Sequence, residues 1–225
     1  MTRPPGLVVF DCDGVLVDSE RLTVHVEARV LTELGWPHTA AQVISRWMGR
    51  TSEFQLGEIE AQLGRQAMLE FDERSTREVH AAFDRELRAV AGVELLVEHL
   101  HAAGVATCVA SSGSHEKMAR TLGLTGLHGL FEGRIFSSSE VARGKPAPDL
   151  FLHAAARMGF APPDCAVIED SVYGVQAAVS AGMTAYGYAG GLTDGSTLAD
   201  AGAVAFDDMA DLVPVLTGTD REDVS

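Results

Sequence analysis

Leu7-Val8-Val9-Phe10 is apolar without a break and stops at Asp11. So short an apolar run, closed by an acid, suits a strand covered on both faces, as in the interior of a parallel sheet. Runs of the same kind recur at Val105 to Ala110, Ala166-Val167-Ile168, Thr184 to Tyr188 and Ala203 to Phe206. Helical patterns separate them: Val93 to Ala103, His115 to Leu122, Asp149 to Met158, Val172 to Ala181 and Met209 to Leu216. This alternation predicts an α/β fold, a doubly wound parallel sheet with helices on both faces.

The stretch from about Ser19 to Val90 breaks the rhythm. It reads as helices only: Glu20 to Leu34 stopped by Gly35, Ala40 to Trp47, Ser52 to Leu63, and Ala67 to Val90 with a break near Ser75. The expected organisation is a Rossmann-like core over residues 1–18 and 90–225, with an inserted all-α cap domain over 19–89. Linkers near Val17 to Glu20 and Ala89 to Val93 are the expected hinges.

Composition narrows the function classes. The formal net charge is −15, from 32 acidic and 17 basic side chains, which disfavours nucleic acid and anionic membrane as partners. No window holds the ~18 uninterrupted apolar residues of a membrane span, and the N-terminus lacks the pattern of a signal peptide. Cys12, Cys108 and Cys165 are far apart and form no metal-binding spacing; reduced core thiols fit a cytoplasmic protein. A monomer or weak homodimer is expected.

Four segments carry chemistry. Asp11-Cys12-Asp13-Gly14 follows the first strand, beyond the carboxyl end where open parallel sheets bind ligands. Ser111 and Ser112 end the second strand before a helix starting near Ser114, a natural phosphate cradle or a simple cap. Gly144-Lys145-Pro146-Ala147-Pro148-Asp149 presents Lys145 on a stiffened loop. Glu169-Asp170-Ser171 ends another strand; these acids either cap the next helix or ligate a hard cation.

In this order and setting the segments resemble the four motifs of the haloacid dehalogenase superfamily, at Asp11/Asp13, Ser111, Lys145 and Glu169/Asp170. Asp-Cys-Asp-Gly-Val-Leu-Val-Asp-Ser-Glu, Gly-Lys-Pro-Ala-Pro-Asp and Glu-Asp-Ser-x-x-Gly look like its β-phosphoglucomutase-like branch, which carries a helical cap after motif one. The resemblance implies a phosphatase acting on a small phosphorylated metabolite, a sugar phosphate or phosphosugar acid. Asp11 is then the nucleophile and Asp13 the general acid and base. Ser111 and Lys145 hold the phosphoryl group, with the Ser112 N–H beside them. Mg²⁺ would be bound by Asp11, Asp13 through its carbonyl, and Asp170, with Glu169 close by.

Asp13 argues against dehalogenation, because a halide leaves without a proton. No Lys precedes Glu116, which argues against a cap lysine of the phosphonate-cleaving kind. In an ungapped comparison the cap His and Arg of a phosphomutase fall on Thr23 and Ser52, although His25 and Arg50 lie close. A phosphomutase and a non-catalytic phosphoester-binding protein are the alternative readings. The cap is expected to choose the substrate, with Glu20 reaching sugar hydroxyls and Arg50 a second anionic group.

Overall fold

The computed structural model describes residues 3–48 and 51–218. The chain divides into two compact units, one made of residues 1–18 and 88–225 and the other of residues 19–87.

The first unit is built on six parallel strands: β1 (Leu7–Phe10), β2 (Ala106–Ser111), β3 (Ile135–Ser137), β4 (Cys165–Glu169), β5 (Thr184–Tyr188) and β6 (Val204–Phe206). They lie in the order β3-β2-β1-β4-β5-β6. The chain runs outward from β1 through β2 to β3, then crosses back to β4 on the other side of β1. The switch point of this α/β sheet therefore lies between β1 and β4, where such sheets bind ligands. Leu7, Val8, Val9 and Phe10 are all fully buried, the property that lets a strand be apolar at every position. On one face Leu7, Val9, Cys108, Ala110 and Val167 pack with Phe151, Ala154 and Val175 of the flanking helices. Elsewhere in the core, Phe10 meets Phe131 edge-on at 5.8 Å.

Two elements and one boundary of this unit depart from the sequence reading. β3 is absent from it, because Ile135–Ser137 is too short to show periodicity and lies at the sheet edge. A helix over Gly195–Asp200 is also absent from it, having one buried residue, Leu198, to mark a face. Arg88 and Ala89 belong to this unit, two residues before the expected return at 90. The cause is local pairing: Ala89 bridges to Val17, and the Asp18 N–H donates to the Arg88 carbonyl at 3.0 Å. None of the described helices is long and apolar enough to cross a membrane.

The second unit holds α1 (Ser19–Glu33), α2 (Ala40–Trp47), α3 (Ser52–Leu63) and α4 (Arg65–Glu86). α1 and α4 are laced by ion pairs from Arg29 to Glu78 at 2.7 Å and from Arg74 to Glu33. α2 starts in a capping box, Thr39 with Gln42. It ends on Trp47, whose indole N–H donates to Glu58 of α3 at 2.8 Å. Arg46 lies over the rings of Trp36 and Trp47 at 5.0 and 5.4 Å. α4 runs unbroken through Ser75, against the expected interruption. That serine is buried, and its hydroxyl donates back to the Asp72 carbonyl at 3.4 Å, so the helix absorbs its polarity.

Candidate active site

Register brings three chain segments level. Phe10 is paired with Val109 on one side and Ile168 on the other, so Asp11, Ala110 and Glu169 stand side by side at the strand ends. The Asp11 N–H continues the ladder to the Ile168 carbonyl at 2.9 Å. Lys145 arrives from the loop after β3 and joins all three. Its ammonium donates to Asp11 at 2.5 Å, to Glu169 at 2.6 Å and to the Ala110 carbonyl at 3.2 Å. Its side chain is 6% exposed, and the ring of Phe151 lies 4.9 Å beneath the ammonium.

Burial sets the electrostatics. Asp11, Glu169 and Asp170 are 6%, 1% and 2% exposed. Desolvation is the largest effect on Asp11; with Glu169 and Asp13 nearby it outweighs the attraction of Lys145 and pushes the carboxyl up to about 8. For Lys145, burial alone would lower the pKa, but Asp11 and Glu169 reverse that and hold the ammonium charged well above its ordinary value.

Glu169 is fixed from both sides. Its Oε1 takes Lys145, and its Oε2 accepts from the N–H and the hydroxyl of Ser171, both at 2.9 Å. The acids do not cap α8 (Val172–Ser180); Ser171 does, accepting from the Gly174 N–H at 3.1 Å. Glycines make room for the carboxylates. A Cβ on Gly14 would come within 1.9 Å of Asp170 Oδ2, and Gly14 also holds a φ of 79° that side-chain-bearing residues avoid.

Ser111, 2% exposed, ends β2, and its hydroxyl accepts from the Gly113 N–H at 3.1 Å. The Ser112 and Gly113 carbonyls accept from the hydroxyls of Ser138 and Ser137, at 2.9 and 2.8 Å. Ser114 caps α6 (His115–Leu124) by accepting from the Lys117 N–H. The structure thus brings Asp11, Ser111 and Glu169 to the ends of adjacent strands, with Lys145 reaching them from its loop and Asp13 and Asp170 in the turns that follow. Ser112 is exposed in the cradle loop. Glu20 is in the first turn of α1, in the other unit. Arg50 lies outside the described residues. His25 turns to its own helix, its Nδ1 at 2.6 Å from the Arg21 carbonyl.

A family model for haloacid dehalogenase-like hydrolases matches residues 5–182. The chain is 32% identical over 180 residues to a 6-phosphogluconate phosphatase of Escherichia coli, covering 80% of each chain. It is 32% identical over 211 residues to a phosphorylated carbohydrates phosphatase of Thermotoga maritima, covering 93% of this chain and 97% of that one.

The chain belongs to the haloacid dehalogenase-like hydrolases.

It is a phosphatase of that family, in the β-phosphoglucomutase-like branch. A haloacid dehalogenase family hydrolase of Deinococcus radiodurans, solved with bound phosphate and sodium, superposes with a TM-score of 0.83. It is 30% identical, and the match covers 96% of this chain and 97% of that chain.

One residue of the site escapes the sequence reading. Lys117, in the first turn of α6, donates to Asp13 Oδ2 at 2.7 Å. Burial would lower its pKa, but the charge and hydrogen bond of Asp13 reverse that and raise it. A signal was available: the chain has two lysines, Lys117 and Lys145, and each bonds an aspartate of the first motif.

Proposed function

We propose that this phosphatase hydrolyses a small sugar phosphate or phosphosugar acid through an aspartyl-phosphate on Asp11. The observation that carries the reading is the triple contact of Lys145 with Asp11, Glu169 and the Ala110 carbonyl at the switch point. A nucleophilic carboxylate must approach an anionic phosphoryl group, and Lys145 supplies the positive charge that lowers that repulsion. An Asp11 oxygen attacks phosphorus while the ester P–O bond breaks, and Asp13 gives its proton to the leaving oxygen. Water then attacks the same phosphorus, its proton passes to Asp13, and the bond to Asp11 breaks. Ser111, with the N–H of Ser112, holds a phosphoryl oxygen through both steps.

The donor set suits Mg²⁺. Among the described residues no three His, Cys, Asp or Glu side chains form an all-side-chain metal site. Magnesium keeps several waters and needs only one or two carboxylates from the protein. Asp11, the Asp13 carbonyl and Asp170 would hold it; the missing side chain of Gly14 is what leaves room for the Asp170 carboxylate. When bound, the ion neutralises negative charge on the nucleophile and the phosphoryl oxygens. Glu169, with both oxygens engaged by Lys145 and Ser171, anchors the lysine and would be close to the ion rather than one of its main ligands.

The substrate class draws support from relatives that are phosphatases of sugar-derived phosphates, two of them described above. Glu20 and Arg50 in the cap are the proposed contacts to the rest of the substrate. The phosphomutase alternative is weakened at Thr23, whose hydroxyl donates to the Ser19 carbonyl of its own helix at 3.0 Å.

The test is phosphate release from a panel of sugar phosphates, phosphosugar acids and p-nitrophenyl phosphate, with Mg²⁺, with chelator, and with Asp11→Asn. Metal-dependent turnover lost in Asp11→Asn is the expected result. A folded, metal-loaded protein that releases phosphate from none of them would overturn the reading.

A further inference from the structure

We propose that Lys117 is the positioning residue for Asp13, fixing the carboxylate that moves the proton in both half-reactions. This rests on the reading of Asp13 as general acid and base.

Asp13 sits on the short turn after β1, where a carboxylate has rotamers to choose from. The Lys117 ammonium takes its Oδ2 at 2.7 Å. The lysine grows from the first turn of α6, whose start is fastened at Ser114 by the cap and at Gly113 by hydrogen bonds to Ser111 and from Ser137. Its stem crosses Gly113 closely. The place a Gly113 Cβ would take lies 3.5 Å from Lys117 Cδ, 3.5 Å from Ser111 Oγ and 3.8 Å from Asp13 Oδ2. The phosphate cradle and the acid–base carboxylate are therefore gauged from one rigid loop.

The contact suits both halves of the cycle. With Oδ2 held by the ammonium, the proton in transit rides on Oδ1. It leaves Oδ1 for the ester oxygen as the first P–O bond breaks. It returns from water as the bond to Asp11 breaks. A carboxylic acid protonated on one oxygen still accepts a hydrogen bond at the other, so Lys117 keeps its grip through the cycle. The chain's composition adds to the argument. Seventeen basic side chains include two lysines, and both bond motif-one aspartates. The Lys117 side chain is 42% exposed, so it is not required to fill the core.

Asp13 matters most where the leaving oxygen needs a proton. An alkyl phosphate needs one; p-nitrophenolate leaves without it. We would measure kcat and KM, with Mg²⁺, for the sugar phosphate that the wild type turns over best and for p-nitrophenyl phosphate, in wild type, Lys117→Met and Lys117→Arg. The expected result for Lys117→Met is a fall of about a hundredfold in kcat/KM on the sugar phosphate, carried by kcat. On the aryl ester, kcat/KM, which reports the first half-reaction, falls by no more than a few-fold, and that turnover also shows that the variant is folded. Lys117→Arg recovers at least a tenth of the wild-type rate on the sugar phosphate. Equal losses on the two esters, a loss confined to KM, or no loss would overturn the assignment while the wild type still turns over. A wild type that cleaves neither ester would overturn the reading of the site, and the assignment with it.

Discussion

Glu169 holds Lys145 with one carboxylate oxygen, at 2.6 Å, and Ser171 with the other, at 2.9 Å. Glu169→Gln keeps the shape but turns one end of the group into a donor facing a donor. We expect a loss of about 1–3 kcal/mol of stability from the unmet buried group. A displaced Lys145 should cost on the order of a hundredfold in kcat/KM. Thermal melting and steady-state kinetics check the two parts.

Lys145→Ala removes the ammonium from between two buried carboxylates. At pH 9, where Asp11 carries its charge, breaking such a pair costs about 3–5 kcal/mol, because the remaining charge is buried without its partner. The effects of Lys145→Ala and Asp11→Asn should therefore not add. In the double variant much of that loss should be recovered, while activity stays absent. Denaturant melts of the single and double variants give the coupling energy.

Stability and pH are tied through Asp11. Burial pushes its carboxyl up from 3.8 to about 8. Between those values the folded chain keeps a proton that the unfolded chain has lost, so this group's contribution to stability falls as pH rises through that window. Metal-free Asp11→Asn should lose this slope. At pH 8 it should melt higher than wild type by about 2–8 °C, the shift for ~1–2 kcal/mol in a chain of this size. Melting curves in chelator from pH 5 to pH 9 would show it. A wild type whose stability rises over that range, through a slope that Asp11→Asn removes, would contradict it.

Burial also governs the thiols. It pushes Cys165 up to about 11, and raises Cys12 and Cys108 as well. All three are buried. Since the thiolate is the reactive form, an aromatic disulfide reagent at pH 8 should titrate almost none in the native protein within minutes. It should find all three after denaturation.

How much of this was legible in the sequence follows from how local each signal is. β1 and β4 announce themselves because a strand buried on both faces is largely apolar at successive positions, as at Leu7 to Phe10. β3 has three residues at a sheet edge, and only its pairing with β2 reveals it. Asp11, Ser111, Lys145 and Glu169 could be picked out because each follows a strand end or a proline-stiffened loop. That Glu169 grips Lys145 was not visible, since it depends on β4 lying beside β1 in one particular register. Lys117 lies inside the helical pattern His115 to Leu122, where its neighbours in sequence do not set it apart. Its tie to Asp13 spans 104 positions and arises only when β2 and β1 pair.

Two helical glycines offer a paired test of this packing. Gly57 in α3 is exposed, and a Cβ there would meet nothing within 4 Å. Gly57→Ala should gain about 0.5–1 kcal/mol from helix propensity and lower unfolded-state entropy. Gly174 in α8 has the same propensity deficit, yet a Cβ there would fall 1.8 Å from Glu169 Oε1. That carboxylate cannot retreat, because Lys145 and Ser171 hold both of its oxygens. Gly174→Ala should therefore destabilise by about 2 kcal/mol or more despite the better helix former, and should lower kcat by displacing Lys145. Glu169→Asp withdraws the carboxylate by one methylene. Combined with Gly174→Ala, it should restore part of the stability that either substitution alone removes. A Gly174→Ala protein that melts above wild type with full activity would show that Glu169 is not pinned as described.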